Sequence, residues 1–142
     1  MSDTMKVPDL AGKAVFITGA STGIGAALAR AFAAQGARLA LHYNASVDAA
    51  EALAGEIAGA GGTAHLVRAD YSKSDDVRRS VEEAAAALGG LDGLINNAGG
   101  MVRRVAYEAA TGADYDDIMD LNARSVVTAS NAAIPHLKKN GG

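Results

Sequence analysis

Cysteine and tryptophan are both absent from the 142 residues. With no cysteine there are no disulfides, no thiolate nucleophile and no Cys-based zinc framework, and a reducing cytoplasm is the easiest setting. Aromatic residues make up only 4%, so large aromatic recognition surfaces are rare. Charge of one sign is also scarce: 13 Lys and Arg against 16 Asp and Glu leave a net −3. No basic run interleaved with aromatics tracks a phosphate backbone, which excludes nucleic acid as an expected partner. Met1 to Leu10 lacks an apolar signal region, and no later stretch approaches the roughly 18 apolar residues of a membrane span. The expectation is a soluble, cytoplasmic chain with no metal site and no membrane partner.

The residues that are present describe an ordinary globular chain, 49% apolar and 20% charged. Its length predicts a single domain over residues 1–142. The 33 alanines and 17 glycines favour helices packed closely on a sheet. Lys13 to Thr18 reads as a short buried strand ending at Gly19. From Gly23 the period changes to that of a helix, with Ile24, Ala27, Leu28, Ala31 and Phe32 on its apolar face and Gly36 as its stop. Arg38 to Tyr43 is a second strand. Asn44 or Ser46 is expected to cap a helix facing inward with Val47, Ala50, Leu53, Ala54 and Ile57. Thr63 to Ala69 is a third strand, followed by a helix capped by Ser72 or Ser74 with Val77, Val81, Ala84 and Leu88 inside. Leu91 to Asn96 is the fourth. A loop from Gly99 to about Gly112 leads to a long helix over 113–137, closed by Pro135 and Gly141. Four strands alternating with helices at short connections predict a Rossmann-type, doubly wound parallel α/β sheet of order 3-2-1-4 in three αβα layers.

Between the first strand and the first helix lies Thr18-Gly19-Ala20-Ser21-Thr22-Gly23-Ile24-Gly25. Gly19 allows the tight turn, Gly23 lets a pyrophosphate approach the backbone, and Gly25 lets the helix pack on the strand. A helix N-terminus at this point offers free N–H groups and the positive dipole end to an anion. The same residues also spell G-x-S-x-G, the nucleophile elbow of serine hydrolases, with Ser21 as nucleophile. That reading needs a downstream acid and histidine, and His42, His65 and His136 each read as surface or packing residues. Asn96-Asn97-Ala98-Gly99 ends the fourth strand. In the order 3-2-1-4 it borders the same crevice as the glycines.

With these two motifs the sequence resembles the short-chain dehydrogenases/reductases over about residues 12 to 142. Members carry TGxxxGxG after strand one, matched by Thr18 to Gly25, and NNAG after strand four, matched by Asn96 to Gly99. The resemblance implies NAD(P) binding by Gly19, Ser21, Thr22, Gly23, Ile24, Gly25, Asn97, Ala98 and Gly99. It further implies an adenine contact from Asp70 with Tyr71 beside it, and a water-holding proton-relay role for Asn122, the one catalytic residue expected here. The implied chemistry is hydride transfer between nicotinamide and a small carbonyl or alcohol substrate. The implied assembly is a homo-oligomer packed through the long helix.

The family's Tyr-x-x-x-Lys is not found, because Val47, Asp75, Thr111 and Met119 follow the four tyrosines at that spacing. An apolar fourth strand left at a sheet edge points the same way, toward the cofactor-binding half of a longer enzyme, truncated before a catalytic fifth strand. A non-catalytic dinucleotide-binding module is the alternative. The acidic residue that bonds the ribose 2′-hydroxyl of NAD is missing. Tyr43 and Asn44 stand at that strand end, which leans slightly toward NADP, although no Lys or Arg is close in sequence. Arg103 and Arg104 in the following loop are read as solvated charges that could meet an anionic group. Asp114, Asp116, Asp117 and Asp120 suit the first turns of a helix.

Overall fold

The computed structural model describes residues 5–141. Four short strands form one parallel sheet in the order β3-β2-β1-β4: β1 is Ala14–Ile17, β2 Arg38–Tyr43, β3 Thr63–Arg68 and β4 Gly93–Ile95. Every residue of β1 is buried, as expected for a central strand covered on both faces. Its alternation builds two cores. Ala14 and Phe16 point to the side of α3 (Ser74–Leu88) and α5 (Ser125–Lys139), joining Ala40, Val67, Val81, Leu91, Ala129 and Ala133. Val15 and Ile17 point to the side of α1 (Gly23–Ala34) and α2 (Val47–Gly59), joining Ala29, Leu39, Leu41, Leu53 and Ile57. The three-layer αβα architecture follows.

Several local expectations need correction. The buried stripe of α1 is Gly25, Ala26 and Ala29. Ile24, at 74% exposure, together with Ala27 and Ala31, faces out, while Leu28 and Phe32 pack from the flank. The smallest side chains face the sheet because they bring the helix nearest to it. Ser46 is the N-cap of α2 but makes no capping bond, and α3 begins after Lys73, also without one. β4 covers only Gly93–Ile95, paired with β1 as Val15↔Gly93, Phe16↔Leu94 and Ile17↔Ile95. Just before it, the Asp92 carboxylate accepts the Ala14 N–H at 2.8 Å.

The long helix is broken into three parts. α4 spans Gly112–Met119, opened by a capping box in which Thr111 and Asp114 bond each other's backbone. Asp120–Arg124 follows as a π-helical segment, and α5 continues to Lys139. Pro135 does not close the helix but lies inside it. Its missing N–H removes one helical bond and the chain carries on.

Phe16 is fully buried at 0% exposure. Truncating Phe16→Ala is expected to lower the unfolding free energy by about 3–5 kcal/mol. Urea denaturation reads this as a lower midpoint at unchanged slope, and a loss below about 1 kcal/mol would show that the α3–α5 core does not rest on this ring.

Candidate functional site

The site begins where β1 ends. Gly19 turns the chain with φ +63°, and a Cβ there would lie 2.8 Å from the Ala98 Cα. A Cβ on Gly25 would lie 2.1 Å from the Gly19 carbonyl oxygen and 2.6 Å from the Asn97 amide nitrogen. Neither position admits a side chain without moving backbone. The turn, the first helix and the segment after β4 are therefore in direct backbone contact.

Two polar side chains tie that contact. The buried Thr18 hydroxyl accepts the N–H groups of Asn97 and Ala98, each at 2.9 Å, and donates to the Ile95 carbonyl at 3.3 Å. In return the Asn97 side-chain amide donates to the carbonyls of Thr18 at 3.0 Å and Gly19 at 2.9 Å. The TGxxxGxG and NNAG segments are one hydrogen-bonded unit.

Above this unit α1 presents its N-terminus. The first helical bond runs from Ala26 N–H to the Thr22 carbonyl. The amides of Thr22, Gly23, Ile24 and Gly25 find no acceptor among the described residues, and Thr22 makes no side-chain cap. No carboxylate occupies the helix's first turn, so these donors and the positive dipole end are left for an anion. They open on a cleft of about 530 Å³ bordered by Gly19, Ser21, Thr22, Ile24, Tyr43, Asn44, Tyr71, Asn97, Ala98 and Gly99, with His42, Ala45, Ser46 and Leu121. Ten of the expected residues thus border one cleft. Gly23 and Gly25 lie in the first turn of α1, next to the lining residues Thr22 and Ile24.

Asp70 and Asn122 are placed differently. Asp70 Oδ1 accepts the Ser72 hydroxyl at 2.6 Å and the Ser72 N–H at 3.0 Å, with Lys73 Nζ 3.3 Å from Oδ2. The Ser72 hydroxyl and then the Lys73 charge hold its carboxyl below the usual range. That carboxylate braces its own turn. Asn122 lies in the π segment and bonds three times. Its Oδ1 accepts Gly100 N–H at 2.8 Å, while Nδ2 donates to the Gly100 carbonyl at 2.8 Å and to Ile118 at 2.9 Å. The last bond stays within the helix and the first two clamp the loop. Arg103 is not free for an anion either, because it pairs with the Asp114 carboxylate.

His42 is 3% exposed and stacks on Tyr71 with ring centroids 3.9 Å apart. Burial lowers its pKa, against a smaller opposing effect of its bond to Ala69. Burial also pushes the Tyr71 hydroxyl up to about 12, and this hydroxyl bonds Ser80 at 3.0 Å. Both imidazole nitrogens are committed, to Gly19 and Ala69, and His136 lies against Glu82. His65 lies exposed on β3 abreast of Ala40, so no histidine bonds Ser21 among the described residues, and the base that a hydrolase elbow needs is not in place.

Sequence reasoning passed over Thr18 as a ligand-side anchor and His42 as anything but packing. Period-2 alternation in β2 was the signal for His42, since it lies on the same strand face as the buried Ala40. Arg68 was also missed. It is the register partner of Tyr43 in the parallel β2–β3 pair, a closeness that the 24 intervening residues conceal.

A family model described as short chain dehydrogenase matches residues 13–142. An uncharacterized oxidoreductase of Methylorubrum extorquens is 42% identical over 132 residues, covering 93% of this chain and 53% of the relative. A short chain dehydrogenase from Burkholderia cenocepacia, solved in complex with NADP, is 41% identical with a TM-score of 0.86, covering 90% of this chain and 52% of that one. An NADH-dependent reductase responsible for alginate metabolism, A1-R′, solved with NAD, is 40% identical with a TM-score of 0.87, covering 94% and 55%. The chain belongs to the short-chain dehydrogenase family, and it spans about half the length of the relatives it matches.

Thr18→Val keeps the side-chain shape but strands the Asn97 and Ala98 N–H groups. A loss on the order of 2 kcal/mol or more is expected by chemical denaturation, with Thr18→Ser close to the parent. Equal stability of Thr18→Val and the parent would show that this hydroxyl does not hold the two segments together.

Proposed function

We propose that this chain is a single dinucleotide-binding unit, the cofactor-binding half of an NAD(P)-dependent oxidoreductase that passes hydride between nicotinamide and a small carbonyl or alcohol. The observation that carries the reading is the free N-terminus of α1, aimed into a cleft whose glycines exclude Cβ atoms. The amides of Thr22 to Gly25 hold the pyrophosphate. Tyr43, Asn44 and Tyr71 flank the adenosine end, and Asn97 to Gly99 form the opposite wall. Asp70 reaches the adenine through the turn it braces. Nicotinamide held there would give hydride to a carbonyl or take it from an alcohol, and Asn122, which fixes the loop at Gly100, would hold a water of the proton relay. The two neighbours solved with NADP and NAD support a nicotinamide cofactor.

NADP is the preferred form on this reading. No acid stands at Tyr43 to Ser46 to repel a 2′-phosphate, and Arg68 lies abreast of Tyr43 to attract it. The partly exposed apolar row Tyr115, Ile118, Met119, Val127 and Ile134 supports homo-oligomer packing through α4 and α5. No helix among the described residues is long and apolar enough to cross a membrane, and a cysteine-free chain suits the cytoplasm.

Calorimetric titration of the purified chain tests this. NADP is expected to bind more tightly than NAD, Gly25→Ala to weaken both at least tenfold, and Arg68→Ala to narrow the gap between them. Absence of binding at millimolar nucleotide would overturn the reading.

A further inference from the structure

The turn that carries the free amides is held from one side by a single residue. His42 accepts the Gly19 N–H on its Nδ1 at 2.9 Å, and its own carbonyl accepts the Ala20 N–H at 2.8 Å. Its other nitrogen, Nε2, lies 3.0 Å from the Ala69 carbonyl. An amide can only donate and a carbonyl can only accept, so the proton is on Nε2 and Nδ1 is bare. Both nitrogens of a neutral ring are thereby satisfied. The imidazolium has a proton on each, and its Nδ1–H would face the Gly19 N–H donor to donor.

We propose that His42 is a positioning residue for the dinucleotide, a proton-sensitive latch that holds the Gly19 turn in its binding form when neutral and releases it when protonated. The proposal rests on the cofactor-binding reading above. Both bonds of the ring go to backbone groups, and no carboxylate pairs with it among the described residues. Tyr71, stacked on it from the β3–α3 connection, stays neutral with its hydroxyl on Ser80. Asp70 and Asp76 on the same side direct their carboxylates to Ser72 and Lys73, and to the Asp70 amide and Arg79. From the end of β1 the Gly19 N–H meets the ring. Burial favours the neutral ring, so the group is protonated in the unfolded chain before it is in the folded one. Stability and binding are full above about pH 6.5 and decline as pH falls through the lower folded value.

The test compares the chain with His42→Asn, which keeps a short acceptor and cannot titrate, and His42→Phe, which keeps a ring but no acceptor. NADP affinity is measured from pH 8 to pH 5. The parent is expected to lose about tenfold more affinity over this range than His42→Asn, whose profile reports only the ligand's own 2′-phosphate ionisation near pH 6. His42→Phe is expected to bind about tenfold more weakly than the parent at pH 8, with His42→Asn within about threefold. In the ligand-free chain, nitrogen-detected NMR is expected to show the Nε2–H tautomer, and the Gly19 amide shift to move with the same midpoint as the ring. Parallel pH profiles for parent and His42→Asn, or a Gly19 amide that ignores the ring's titration, would overturn the latch. Failure of every form to bind NADP, while Gly19 still follows the ring, would instead remove the cofactor from the proposal and with it the binding role assigned to His42.

Discussion

The fold turns on a backbone contact that leaves no room for a carbon atom. Gly25 at the start of α1 sits against the Gly19 carbonyl and the Asn97 side chain, so the first helix, the end of β1 and the segment after β4 meet at one point. Side chains there would hold these elements apart, and the cleft would lose its floor. Thr18 and Asn97 then convert proximity into a bonded unit, each exchanging hydrogen bonds with the other's strand end. Buried polar groups of this kind are stabilising only when every partner is present, and no buried side-chain nitrogen or oxygen among the described residues lacks one. The contact also frees the helix terminus. Because the turn is fixed from below by strand ends, α1 needs no cap of its own.

Strand order and the crevice were legible in the sequence because they depend on punctuation. Glycines at 19, 36, 61 and 89, all at positive φ, separate apolar runs too short to be anything but strands from stretches of helical period. What the sequence concealed has physical reasons. In α1 the apolar stripe could not be phased by hydrophobicity, since alanines surround the helix and size decides which side nears the sheet. The closeness of Arg68 to Tyr43 depends on the register of two strands, which no local pattern contains. His42 could have been core, ligand or base by residue type alone, and only its two bonding partners separate these roles.

Asn122 shows a different limit. An asparagine in a helix can bond within that helix or reach out of it, and this side chain does both. One amide hydrogen reaches the Ile118 carbonyl while the rest of the group grips both sides of the Gly100 peptide. Gly99 beside it is free of Cβ because a Cβ would stand 2.6 Å from the Asn122 oxygen. The start of the loop after β4 is therefore anchored twice, by Thr18 at Asn97 and Ala98 and by Asn122 at Gly100.

The π segment at Asp120–Arg124 lies between two helices that answer to different neighbours. A regular helix advances about 100° for each residue, and a π turn takes up one residue more than an α turn. Length and phase are thereby separated. α4 can be aimed by its Thr111–Asp114 cap at the loop side while α5 turns Ala129 and Ala133 onto α3, although an unbroken helix of the same sequence would carry one of the two faces out of alignment. The segment behaves as a gear tooth of one residue, and whatever is inserted or removed within it rotates everything downstream.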